Sequence, residues 1–296
     1  MKDHPRRPAA LVPKLLLALP VVIFVLLYAR AGTPPPRPNT KAGLIYLRIA
    51  DPRHKQAMYQ AQWPPWLPAL EASAKANARS VTYYFVGAPS NVTCANCVQV
   101  PLDLDGLLAR IAKYLHITDV QVRNIKHKVC DLKPMWPVLF PEISARHAWV
   151  GFADADVLFG DLASEIDLLG ESDDLLVPSS WHPYPLANGN FMLFRSTDRV
   201  LNAFRGAEWR KAVRSPGYSV FDEWHGRDGT VNFGHALLEM HLNGKLRPVH
   251  KSNFRGASLP LLNHDLHAID ATPARWRGGV VSHCLIWPAR SRRERP

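Results

Sequence analysis

Residues Ala148–Leu162 read AWVGFADADVLFGDL, and the order of residue types in this stretch decides the architecture. Ala148–Phe152 is a short apolar run without polar alternation, the pattern of a strand buried on both faces. The run delivers two carboxylates, Asp154 and Asp156. Asp161 then stands where the N-cap of a helix running through Leu169 belongs. Strand, acidic loop and helix form one repeat unit of an α/β fold. Open sheets of that class bind ligands at the carboxyl ends of their strands.

The same alternation runs outward in both directions. Leu44–Ile49 (LIYLRI) and Val81–Val86 (VTYYFV) are short runs rich in β-branched and aromatic residues, and the helix-like stretch Leu67–Ala78 separates them. Cys97–Val100 adds a strand, and Leu104–Leu115 has apolar residues at helical spacing. Leu132–Ile143 reads as a helix despite its prolines, Phe191–Arg195 as a later strand and Phe233–Leu242 as a later helix. There is no internal repeat. The expectation is one α/β domain over residues 43–290, with a mixed, mostly parallel sheet flanked by helices.

The 296 residues carry a formal charge of +11, which raises nucleic acid as a partner. The excess sits in the tails: +6 over residues 1–41 and +3 over 289–296, leaving +2 for the body. No basic stripe interleaved with aromatics remains of the kind nucleic-acid binders use. Leu15–Ala29 (LLLALPVVIFVLLYA) is uncharged and follows a basic segment, so it reads as a membrane-targeting element. An uncleaved anchor over 15–31 is preferred to a cleaved signal peptide, whose small-x-small pattern Ala29-Arg30-Ala31 also fits. Either reading sends the body across a membrane, and the anchor reading leaves residues 1–14 as a cytoplasmic tail. The Pro-rich segment GTPPPRPNTK makes residues 32–42 an extended stem, and 291–296 form a basic tail. Asn91-Val92-Thr93 is an N-glycosylation sequon that a translocated body would make usable. Cys94, Cys97, Cys130 and Cys284 would tend to pair in a lumen. Cys94-Ala95-Asn96-Cys97 also fits buried thiols, a redox pair, or half a zinc site with His127 and Cys130.

A D-x-D at a strand end can turn both side chains toward one hard cation, and Mg²⁺ or Mn²⁺ held there can also hold phosphate oxygens. Two reaction classes use this arrangement. In one, the metal bridges the diphosphate of a nucleotide-sugar while the sugar departs. In the other, the first Asp attacks a phosphate and the second is acid and base, as in haloacid-dehalogenase-like phosphatases. The phosphatase motif opens its domain, whereas over a hundred body residues precede this one, so sugar transfer is preferred. A catalytically silent carbohydrate-binding protein is the alternative outside enzymes. Trp63, Trp66, Trp181 and Trp224 could stack on sugar rings, although tryptophans more often pack.

Lys128–Leu162, KVCDLKPMWPVLFPEISARHAWVGFADADVLFGDL, resembles the K-x-C-D-x-K-P … G-x-x-D-x-D-x-x-x-G-D-L core of a glycosyltransferase-like family similar to the GT-A nucleotide-diphospho-sugar transferases. Two later stretches match in the right order: Ala187–Arg195 (ANGNFMLFR), where the family reads S-G-H-F-T-L-F-R, and Phe221–Trp224 (FDEW). The resemblance implies a GT-A-like, Rossmann-like α/β domain and a nucleotide-diphosphate-sugar donor with Mn²⁺ or Mg²⁺. Its acceptor would be a glycan or glycoconjugate, in the Golgi or a related secretory compartment, on a type II membrane protein. By the same resemblance Asp154 lies near ribose and metal, Asp156 is the direct metal ligand, and Asp131 approaches the nucleoside. Lys133 meets a phosphate or is a solvated lysine. Gly189 and Asn190 belong to the donor site, and His283 completes the metal shell. Asp222 and Glu223 face the acceptor, one of them as base. Asn188 and Asn190 depart from the family's Ser and His, which bears on donor or acceptor preference rather than on the metal.

Overall fold

The computed structural model describes residues 40–49, 62–122, 125–178, 186–223, 231–251 and 280–282. The strands are β1 (Ala42–Arg48), β2 (Val81–Gly87), β3 (Cys97–Pro101), β4 (Trp149–Ala153), β5 (Val157–Phe159), β6 (Leu175–Pro178), β7 (Phe191–Arg195), β8 (Pro248–Lys251) and β9 (Val280–Ser282). The helices are α1 (Leu67–Ala76), α2 (Leu104–Leu115), α3 (Ile125–Asp131), α4 (Trp136–Leu139), α5 (Pro141–Ser144), α6 (Leu162–Asp167), α7 (Asp198–Leu201), α8 (Trp209–Arg214) and α9 (Phe233–Leu242).

Seven strands form one sheet in the order β3-β2-β1-β4-β7-β6-β8. β1 pairs in parallel with β2 and with β4, β2 with β3, and β6 with β8, while β7 runs antiparallel between β4 and β6. The mixed, mostly parallel sheet expected from sequence is therefore present. Its parallel centre is apolar on both faces: Ala42–Leu47 and all of β2 and β4 are buried, as strands covered by helices on both sides must be. One face packs with α2, α3, α4, α8 and α9 through side chains such as Ile111, Trp136, Trp209 and Leu237. The other packs with α1 and α6 through Leu70, Ala74, Leu162 and Ile166.

From β1 the chain winds outward to β2 and β3, then returns to lay β4 on the opposite side of β1. The strand order thus reverses at the β1–β4 boundary, and open α/β sheets bind ligands outside the carboxyl ends at such a reversal. Gly151 makes the β4–β7 pairing possible, because a Cβ at that position would lie 1.9 Å from the Met192 carbonyl oxygen.

Local chemistry explains the boundaries. Asp103 caps α2 by accepting from the Gly106 N–H at 2.8 Å, and His116 ends it in the left-handed conformation at φ 56°. Asp161 caps α6 as expected, accepting from the Ser164 N–H at 3.1 Å. Leu132–Ile143 is not the single helix expected. Pro134, Pro137 and Pro141 each begin a new short turn, giving a 3-10 turn at Lys133–Met135 followed by α4 and α5, because proline lacks the N–H that would continue a preceding helix.

Cys94 and Cys97 form a disulfide that closes the turn into β3, which removes this pair from a zinc site. Asn91 is exposed, and the Thr93 hydroxyl donates to Glu71 at 2.9 Å. At the opposite end of the sheet His147 is buried. Its Nδ1 donates to the Thr40 carbonyl at 2.8 Å, which leaves Nε2 to accept from the Tyr84 hydroxyl at 2.8 Å. Among the described residues no helix is long and apolar enough to cross a membrane. The Leu15–Ala29 run, the stem up to Asn39, Trp181, Trp224, His283, Cys284 and the basic tail lie outside the described residues.

Candidate functional site

The K-x-C-D-x-K-P motif is a pair of buried cations, each with its own carboxylate load. Lys128 donates to the Ala212 carbonyl at 2.7 Å and lies 3.5 Å from Asp131. Asp131 is fully buried, and its two oxygens accept from the backbone N–H groups of Ser219 and Phe221 at 2.9–3.1 Å. Burial raises its carboxyl above the usual range, while the two amides and Lys128 pull it down. Between those amides Val220 has φ 58°, a left-handed backbone that a β-branched residue adopts only under restraint. Asp131 therefore brackets a strained turn, and that turn leads directly into Asp222 and Glu223. Asp131, expected to approach a nucleoside, has both oxygens accepting from the chain's own amides.

Lys133 joins the motifs. Its side chain is 3 % exposed, so the solvated-lysine reading is corrected. Nζ lies 2.8 Å from Asp154 Oδ1, 3.1 Å from Asp222 Oδ2 and 2.6 Å from the Gly189 carbonyl. An ammonium has three N–H donors, and here three oxygens surround it. D-x-D, ANGN and FDEW, separated by tens of residues, meet on this one cation. Burial alone would lower the Lys133 pKa, but Asp154 and Asp222 outweigh it and raise it well above the lysine value. Asp222 is pulled the other way, since burial pushes its carboxyl up against the effect of Lys133. We take the pair as charged, because the ammonium touches two carboxylates and a carbonyl at once.

Asp222, 1 % exposed, also accepts from the Tyr218 hydroxyl at 3.0 Å. Glu223 is half-buried, takes a backbone hydrogen bond from Gly189, and is raised above the glutamate range by burial and by Asp222. Gly189 permits this approach, since a Cβ there would sit 2.4 Å from Glu223 Oε1. Asn190 contributes its carbonyl to the Asp154 N–H at 2.9 Å, and its own N–H goes to the Asn188 side chain. Asn188 and Asn190, the positions that depart from the family pattern, thus shape the turn beneath Asp154.

Asp154 follows β4 directly, at the reversal of strand order. Asp156 is half-buried, and desolvation together with Asp154 raises its carboxyl. Trp66 Nε1 donates to the Ala155 carbonyl at 2.7 Å and so braces the backbone between the two carboxylates. Trp63 Nε1 donates to the Ala88 carbonyl at 2.8 Å and packs edge-on against Phe85 at 5.1 Å. β5 pairs antiparallel with β9, setting Val157, the residue after Asp156, opposite Ser282, the residue before His283.

Sequence reasoning missed Tyr218, Trp66 as a brace, and Arg48, whose positive charge lowers the Asp156 pKa. None carries a local motif. Arg48 alone had a signal, as the one charge at the end of an apolar strand.

A family model described as a family of unknown function, DUF6625, matches residues 57–254, more than half of the chain. The chain belongs to this family. The matched span takes in every motif of the cluster within this DUF6625 protein. Among solved structures it is similar to the apo form of mouse xyloside xylosyltransferase 1, at 11 % identity and a TM-score of 0.35 over 72 % of this chain and 84 % of that one. No curated protein matches it.

Four carboxylates, Asp154, Asp156, Asp222 and Glu223, lie in the field of the Lys133 ammonium, and Arg48 adds positive charge toward Asp156. Among the described residues no group of three or more His, Cys, Asp or Glu side chains is arranged to hold a metal by itself. The donor set still fits a hard divalent cation, which can be held through one or two carboxylates with substrate oxygens filling the remaining positions. Such a cation would offset the uncompensated negative charge.

Proposed function

We propose that the protein is a metal-dependent glycosyltransferase with a GT-A-like domain, moving a sugar from a nucleotide-diphosphate-sugar to a glycan or glycoconjugate. The observation that carries this reading is the meeting of D-x-D, ANGN and FDEW on Lys133, at the carboxyl edge where the strand order reverses. In this reading Asp156 and Asp154 hold Mn²⁺ or Mg²⁺, with His283 as a further ligand. The β5–β9 pairing, which ends one residue before His283, supports that last assignment. Held by those residues, a divalent cation would supply Lewis-acid stabilisation of the charge left on the departing nucleoside diphosphate.

The chain's own side chains do the rest. Asp222 is committed to Lys133 and Tyr218, so it positions rather than transfers protons. Glu223 has the more accessible carboxyl, and its raised pKa suits a base that takes the proton from an acceptor hydroxyl. Lys133, donating to the Gly189 carbonyl and ion-paired with both carboxylates, fixes Asp154 and Asp222 at one separation. The compartment is read as the lumen of the Golgi or a related membrane, with the N-terminal run as a type II anchor. The Cys94–Cys97 disulfide supports an oxidising compartment.

A screen of nucleotide-sugars for thermal stabilisation, with and without Mn²⁺, tests the donor side, because ligand binding to the native state raises the melting temperature. Slow metal-dependent hydrolysis of the stabilising nucleotide-sugar without acceptor is expected. Preferential hydrolysis of simple phosphate esters would replace this reading by the phosphatase one. Binding of sugar without any hydrolysis would leave a carbohydrate-binding protein.

A further inference from the structure

Tyr46 lies on β1, the strand next to β4. The pairing of Ile45 with Phe152 sets it beside Ala153, the residue before Asp154. It is 1 % exposed and stacks on Tyr83 and Phe85, with ring centroids 6.0 and 5.5 Å away. It belongs to the same buried cluster as Ala153 and Ala155, the residues that flank Asp154. Its hydroxyl is buried and has no hydrogen-bond partner. Native interiors rarely leave a donor in that condition, because its lost hydration is not recovered. The negative charges of Asp154 and Asp156 act on this hydroxyl, adding to the effect of burial.

Asp156 has the complementary deficiency. It is half-buried, and no side chain among the described residues donates to its carboxylate. A donor without an acceptor and a desolvated carboxylate whose only donor among the described residues is its own backbone N–H therefore lie beside the same loop. We infer that the Tyr46 hydroxyl is the positioning donor for Asp156, engaged when that carboxylate turns to take a divalent cation, and unsatisfied in the free protein for that reason. This rests on the metal-dependent reading of the D-x-D. Carboxylates that ligate metals are themselves held by hydrogen bonds, and loss of such a partner weakens metal binding.

The test is Tyr46→Phe, which removes one oxygen and preserves the stacking, with Tyr83→Phe as control. Tyr83 is stacked on the same face, and its buried hydroxyl feels the polar side chains of Ser73 and Asn77 rather than the D-x-D. Two readouts are made on the purified full chain: the melting temperature without metal, and Mn²⁺ affinity from the paramagnetic resonance signal of free Mn²⁺. Tyr46→Phe should weaken Mn²⁺ binding by about tenfold or more. It should also raise the metal-free melting temperature by about 2 °C or more, since it deletes an unsatisfied buried hydroxyl. Tyr83→Phe should leave Mn²⁺ affinity unchanged. Opposite signs in the two readouts are not produced by a purely structural tyrosine. Undiminished Mn²⁺ affinity in Tyr46→Phe, or a lower metal-free melting temperature, overturns this inference alone. Wild-type protein that binds no Mn²⁺ overturns the metal reading and this inference with it.

Discussion

Replacing Lys133 by Met keeps the length of the side chain and removes its charge. The cost follows from what the ammonium touches. Asp222, 1 % exposed, would lose its cation at 3.1 Å and keep only the Tyr218 hydroxyl. The Gly189 carbonyl would lose a donor at 2.6 Å, and Asp154 its partner at 2.8 Å. Removing one member of a buried ion pair typically costs about 3–5 kcal/mol, because the remaining charge is stranded. Asp154 adds little, being partly exposed to water. At about 2–4 °C per kcal/mol for a domain near this size, the melting temperature should fall by about 6–20 °C. Urea and thermal unfolding of the purified protein measure this directly. Adding Asp222→Asn to Lys133→Met removes the stranded charge, so the double variant should be more stable than Lys133→Met alone, with a coupling on the order of 1–3 kcal/mol. A loss below about 1 kcal/mol for Lys133→Met, or strictly additive effects, would refute the view that Lys133 holds the site together.

Three further outcomes are expected. Asp156→Asn and Asp154→Asn should abolish metal-dependent donor stabilisation, whereas Asp161→Asn should change it little and cost only a few tenths of a kcal/mol, because Asn caps a helix about as well as Asp; calorimetry with the nucleotide-sugar found by screening measures all three. Glu223→Gln should keep donor binding while transfer to acceptor falls by ~10²-fold or more; loss of donor binding instead would move Glu223 to the nucleotide side. For His147, burial lowers the pKa below its ordinary 6.5, so the folded state favours the neutral ring. That stability is complete above the unfolded value and is lost as pH falls below it toward the folded one. Urea unfolding at pH 7.5 and 5.5 should show the difference, and His147→Gln should reduce it.

Elements whose periodicity is strong were legible in sequence. The apolar runs of β1, β2 and β7 and the spaced leucines of α2 need no tertiary information. The short strands β6 and β8 went unread, because four residues opening or closing on a proline do not differ from a loop. The prolines of 132–143 were overruled in favour of hydrophobic spacing, and the three turns show that missing N–H groups decided the matter. For the site, residue types could be read but pairings could not. Asp131 binds amides 88 and 90 residues away, and Lys133 chose carboxylates over solvent only because folding buried it. The reason for Gly189 likewise lies in Glu223, on another segment.

The pairing of β5 with β9 bears on how the protein is made. Val157 and Phe159 find their ladder partners among the described residues at Ser282 and Val280, so the two-stranded ladder next to the D-x-D cannot close until the chain has been synthesised past Ser282. The parallel centre β1–β4 can assemble earlier, since domains build from the N-terminus as they emerge. A nascent chain stalled before Val280 would thus carry a sheet and an acidic loop without the strand that borders it. Closure of that ladder is coupled to synthesis of the chain through Ser282.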